Sequence, residues 1–123
     1  MKLPNVFEKD AVPLNLTAGQ VIFEYGQARD FMYVVKKGEV DIVVRDEVVE
    51  TVAEDGFFGE MAIIDHAPRS ATAIAKTDCT LFKIEQEAFY ELINNRPEIA
   101  RGFIKILCNR LRQLNQKAAQ GSI

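Results

Sequence analysis

One carboxylate and one guanidinium stand close together in the run from Phe58 to Thr72, which reads Phe-Gly-Glu-Met-Ala-Ile-Ile-Asp-His-Ala-Pro-Arg-Ser-Ala-Thr. Gly59 lets the backbone approach a ligand, and the residues that follow can turn successive N–H groups inward as an anion-binding nest. Arg69 can add a two-pronged contact to a pair of phosphate oxygens. A carboxylate in such a place needs a different task, and Glu60 is suited to accept hydrogen bonds from a sugar hydroxyl. The competing reading is a solvated surface turn in which Arg69 pairs with Glu60 or Asp65. On either reading Arg69 is expected to matter little to the stability of the unliganded fold.

The run resembles the phosphate-binding cassette of cyclic nucleotide-binding domains, the module of the catabolite activator protein and of kinase A regulatory subunits. The family pattern is Phe-Gly-Glu-(Leu/Met)-Ala, a short variable loop, then Arg-(Ser/Thr/Ala)-Ala-Thr, and this chain matches it in order and spacing. The resemblance implies a site built from Phe58, Gly59, Glu60, Met61, Ala62, Arg69, Ser70 and Ala71. Glu60 would hold the ribose 2′-hydroxyl and Arg69 an exocyclic phosphate oxygen. The amides near Met61, Ala62 and Ala71 would take the remaining oxygens. Ser70 is permissive between bases, with cyclic AMP favoured over cyclic GMP.

The elements that must hold this loop read as strands first and helices last. β-branched and aromatic runs recur at Val21 to Phe23, Met32 to Val35, Val40 to Val44, Val48 to Val52, Ala71 to Ala75 and Thr80 to Ile84. Gly19, Gly26, Gly38 and Gly56 punctuate them as turns with positive φ, and Lys37-Gly38 reads as a tight hairpin. The pattern predicts a mainly β fold with flanking helices. It is an eight-strand antiparallel β-roll of the jelly-roll or double-stranded β-helix kind over about residues 12–84. From Gln86 to Asn94 the period becomes helical, and Pro97 starts a last helix running to about Ala119. In it Ala100, Ile104, Leu107, Leu111, Leu114 and Ala118 recur at steps of four and three, a stripe that must be buried. It packs either on the roll or on a second copy of the chain.

The resemblance extends from about Pro13 to Lys117. Where the family's transcription factors place a Thr-Ser pair that reads adenine, this chain has Leu114 and Asn115, so base recognition differs; Arg110, Gln113 and Asn115 are the polar candidates for a lid over the base. No helix-turn-helix reader is expected within these residues.

The 123 residues fit a single domain. Basic and acidic residues, 15 and 18, are interspersed for a net charge of −3, which argues against nucleic-acid binding by this chain alone. No stretch has the length and hydropathy of a membrane span, and no apolar leader opens the chain, so a cytoplasmic protein is expected. Cys79 and Cys108 read as buried thiols of a reducing compartment. One histidine cannot assemble the metal set of a cupin-like enzyme, and no nucleophile or paired acid and base stands near the cassette. The expectation is a regulatory sensor without metal or cofactor, which binds a cyclic nucleotide and moves its C-terminal helix. The signal would travel through Met61 to Ile64 toward Phe89, Leu92 and that helix. An interaction module that keeps the fold without ligand is the alternative. Degenerate modules of that kind lose the glycine, the glutamate or the arginine, and this chain keeps all three.

Overall fold

The computed structural model describes residues 3–7, 11–28 and 31–121. Its backbone divides into two units, one ending at Phe89 and the other beginning at Tyr90. In the first, a short helix α1 (Leu3–Phe7) precedes eight strands: β1 (Pro13–Leu16), β2 (Val21–Phe23), β3 (Phe31–Lys37), β4 (Val40–Val44), β5 (Glu47–Val52), β6 (Phe57–Phe58), β7 (Thr72–Ala75) and β8 (Cys79–Glu85). A one-turn helix α2 (Met61–Ile64) interrupts them between β6 and β7. Helix α3 (Gln86–Asn95) leads into the second unit, which is dominated by α4 (Pro97–Gly121).

The strands form two four-stranded antiparallel sheets in the orders β1-β8-β3-β6 and β2-β7-β4-β5. The expected mainly β architecture with C-terminal helices is therefore present. Strand β1 starts with a proline, which cannot donate to a ladder, and it lies at a sheet edge, pairing Leu14 with Leu81. Strand β3 is buried along most of its length because it runs between β8 and β6, with Tyr33 opposite both Lys83 and Phe58. Phe23, Tyr33, Val35, Val40, Val52, Phe58, Ala73, Ala75, Cys79 and Leu81 fill the core. Three of these rings cluster, Tyr33 stacked on Phe58 with centroids 5.3 Å apart and Phe23 tilted against Phe58 with centroids 5.8 Å apart.

Two turns differ from the sequence expectation. Lys37-Gly38 is no hairpin, since β3 and β4 lie in different sheets; the chain turns a corner there. Gly38 has φ +86°, and a Cβ on it would meet the Asp78 carbonyl and the Cys79 side chain, so the close approach of the β7–β8 turn excludes any other residue. In the turn before β6, positive φ falls on Asp55 at 71° rather than on Gly56. The true two-residue hairpin joins β4 to β5 through Arg45 and Asp46, whose φ values of 51° and 65° are those of a type I′ turn.

Both cysteines are free thiols, Cys79 buried and Cys108 exposed, so the expectation of two buried thiols holds for the first alone. Burial, and after it the neighbouring Asp78 carboxylate, push the Cys79 thiol up from its ordinary value, which keeps it protonated and unreactive at neutral pH. The α4 stripe is expected to find cover either on the roll or on a second copy of the chain. Ile104 is 61% exposed, Leu111 61% and Leu114 45%, so the single chain leaves this part of the seam in water. Among the described residues no helix is long and apolar enough to cross a membrane.

Candidate functional site

The loop from Phe58 to Thr72 is held at both ends by sheet. β6 pairs with β3 through Phe58 and Tyr33, and β7 pairs with β2 and β4. Between them Gly59 adopts φ +80°, a conformation that costs an L side chain about 1–2 kcal/mol. The turn it allows places Glu60 at the N-cap of α2. The Glu60 carbonyl accepts the N–H groups of Ile63 and Ile64, both at 3.0 Å. Those are the first amides to close onto the helix, so the amides of the preceding turn have no intrahelical acceptor. Ala62 and Ile63 face inward, while Met61 and Ile64 are exposed.

Glu60 is only 8% exposed, yet its side chain does not cap the helix it starts. An ionised carboxylate only accepts hydrogen bonds, so Glu60 has the chemistry to receive a ligand's hydroxyls.

Arg69 departs from the picture of a solvated cation. It is 3% exposed. Its Nη1 donates to the Gly59 carbonyl at 2.9 Å and its Nη2 to the Phe31 carbonyl at 2.8 Å. The guanidinium lies 4.2 Å from the centre of the Phe23 ring and 5.5 Å from that of Phe31, within cation–π range of both. Its backbone is pinned as well: Gly26 N–H donates to the Arg69 carbonyl at 2.8 Å, and the Arg69 N–H donates to the Gln27 carbonyl at 2.9 Å. The Tyr25 N–H reaches Thr72 Oγ1 at 3.1 Å. The turn between β2 and β3 thus fixes the arginine from outside the cassette. This overturns the expectation that Arg69 matters little to the unliganded fold, because its removal would strand two carbonyls and two ring faces.

The rest of the loop follows from local chemistry. The Asp65 carboxylate accepts the Ala67 N–H at 3.1 Å, and His66 turns the chain with φ 57°. The exposed Ser70 hydroxyl lies 3.5 Å from Met61 Sδ, so the two ends of the cassette meet. Ala71 is buried where the chain enters β7. The structure therefore brings Phe58, Gly59, Glu60, Met61, Ala62, Arg69, Ser70 and Ala71 into one loop. Phe23, Phe31, Gly26 and Gln27 are contributors that sequence reading missed. Their signal was a glycine-centred turn between two apolar strands, which says nothing of what it touches.

The lid candidates Arg110, Gln113 and Asn115 lie on α4, Arg110 half-buried and the other two exposed. At about 100° per residue Arg110 and Gln113 share a face, while Asn115 stands about 140° round from Arg110.

Comparison with known proteins places this geometry. Residues 13–96 match the model of the cyclic nucleotide-binding domain. A cAMP-dependent protein kinase regulatory subunit from Eremothecium gossypii is 36% identical over 78 residues, which are 63% of this chain and 17% of that protein. The chain therefore spans only a small part of that relative's length. Among solved structures, the Thermus thermophilus catabolite activator protein superposes with a TM-score of 0.81 at 24% identity, covering 96% of this chain and 58% of that one. A protein of a cyclic-GMP-dependent signalling pathway that regulates bacterial phytopathogenesis superposes with a TM-score of 0.77 at 24% identity, covering 90% of this chain and 93% of that one. At these identities the two structures share the fold.

Proposed function

The chain belongs to the cyclic nucleotide-binding domain family, and from that premise we propose that it is a sensor module binding cyclic AMP in the Phe58–Ala71 loop and answering by repositioning its C-terminal helix. The observation that carries this reading is the burial of both Glu60 and Arg69 on a loop that turns at the positive φ of Gly59. Arg69 meets the phosphate and Glu60 the ribose 2′-hydroxyl. On this reading, which the family match supports, the module is a regulator rather than an enzyme.

The kinase regulatory subunit similarity supports cyclic AMP. Cyclic GMP is the second reading: Ser70, next to Arg69 and exposed, carries a hydroxyl with the chemistry to accept from a guanine 2-amino group. A lid drawn from α4 uses the face of Arg110 and Gln113, or that of Asn115, but not both.

Glu60→Gln tests the ribose contact. A hydrogen bond to a charged acceptor contributes about 1.5–3 kcal/mol, so affinity for the ribonucleotide should fall roughly 10- to 100-fold while that for the 2′-deoxy analogue changes little. Calorimetric titration of both ligands decides it. Equal losses would make Glu60 a structural residue.

The exposed stripe of Ile104, Leu111 and Leu114 carries the output side of the proposal, with a second copy of the chain as its cover. Burying each leucine contributes about 1.5–3 kcal/mol, so the Leu111→Ser, Leu114→Ser double variant should sediment as a monomer where the wild type sediments as a dimer. A wild type that is monomeric at high concentration would remove the second copy from the account.

A further inference from the structure

Lys83 lies on β8 opposite Tyr33, two residues beyond Leu81. Side chains alternate along a strand, so Lys83 shares the face of Cys79 and Leu81, which belong to the inner core. A lysine on the inner register of a roll, half-buried, is unusual, because an ammonium is strongly hydrated. The register sets it beside Phe31, with Nζ 4.0 Å from the ring centre. Arg69 lies 5.5 Å from the centre of the same ring. The two cations are therefore no more than about 9.5 Å apart, the two distances added. Like charges at that range add their fields at a common anion.

We propose that Lys83 is a second cationic arm of the anion site, adding its field to that of Arg69 and raising affinity for a ligand phosphate without touching the ribose. The inference rests on the cyclic nucleotide reading above and extends it to a residue outside the cassette. Phe31 is the positioning residue: its carbonyl holds Arg69 Nη2 and its ring orients both cations. Because the field acts across about a Debye length, the contribution of Lys83 depends on salt and scales with ligand charge.

The test is titration of cyclic AMP, its 2′-deoxy analogue and cyclic GMP into the wild type, Lys83→Met and Lys83→Arg, from low salt to about 1 M. Methionine keeps the apolar stem and removes the charge; arginine keeps the charge. Lys83→Met should lose about 4- to 15-fold in affinity at low salt, the loss shrinking to about twofold at high salt. Lys83→Arg should stay within about twofold of wild type, and the ratio of ribo to 2′-deoxy affinity should be unchanged in both. Equal affinities and salt slopes for wild type and Lys83→Met would overturn the proposal, as would an equal loss in Lys83→Arg, which marks a packing role. A wild type that binds neither nucleotide would instead defeat the cyclic nucleotide reading, and this inference with it.

Discussion

Arg69→Ala should weaken cyclic nucleotide binding by about 2–4 kcal/mol, a 30- to 1000-fold rise in Kd, because a charge-assisted contact to the phosphate is lost and nothing else in the loop replaces its fork. The same substitution should lower the stability of the unliganded domain. The guanidinium bonds the Gly59 and Phe31 carbonyls and covers the Phe23 ring, so its removal leaves two acceptors without these donors in a buried place. The cost is about 2 kcal/mol, or roughly 5–10 °C in Tm. Arg69→Lys separates the two effects, since a point charge is retained but cannot reach both carbonyls. It should recover part of the phosphate affinity and little of the Tm. Binding by Arg69→Ala within about threefold of wild type would remove the arginine from the site.

Gly59→Ala should produce the second largest effect, through geometry alone. At φ +80° a Cβ is strained whatever the space, and here it would also lie 2.7 Å from Arg69 Nη1 and 3.3 Å from Phe23 Cε2. The arginine must then leave the carbonyls and the ring that orient it. Affinity should fall at least tenfold and Tm by several degrees. Gly19→Ala is the matched control: its φ is +89°, but a Cβ there meets nothing within 4 Å. It should lose about 1–2 kcal/mol of stability and no affinity. If both variants bind equally well, the close packing of Gly59 on Arg69 has no role in the site.

The cassette was legible in the sequence because its chemistry is local: a glycine, a carboxylate and an arginine at fixed spacing keep their meaning wherever the loop sits. The β-branched runs were legible for the same reason, since period and residue type declare a strand within a few positions. What stayed hidden depends on residues distant in the chain. β1 and β6 are four and two residues long, too short to show a period, and owe their existence to β8 and β3. Lys37-Gly38 looks the same whether it closes a hairpin or turns a corner between sheets; only the pairing of β3 with β8 decides. Arg69 reads as a surface cation until Phe23 and Phe31 are folded against it. The seam on α4 declared its apolar stripe correctly, but a heptad says that a face needs cover, and leaves open whether the same chain provides it.

Calorimetric titration of cyclic AMP and cyclic GMP into the purified chain, with Arg69→Ala titrated alongside, decides whether the loop is a cyclic nucleotide site. Saturable binding of one nucleotide per chain is expected, tighter for cyclic AMP, with a 30- to 1000-fold weaker isotherm for the variant. Failure of both nucleotides to saturate the wild type below about 1 mM, a standard free energy weaker than about −4 kcal/mol, would contradict it.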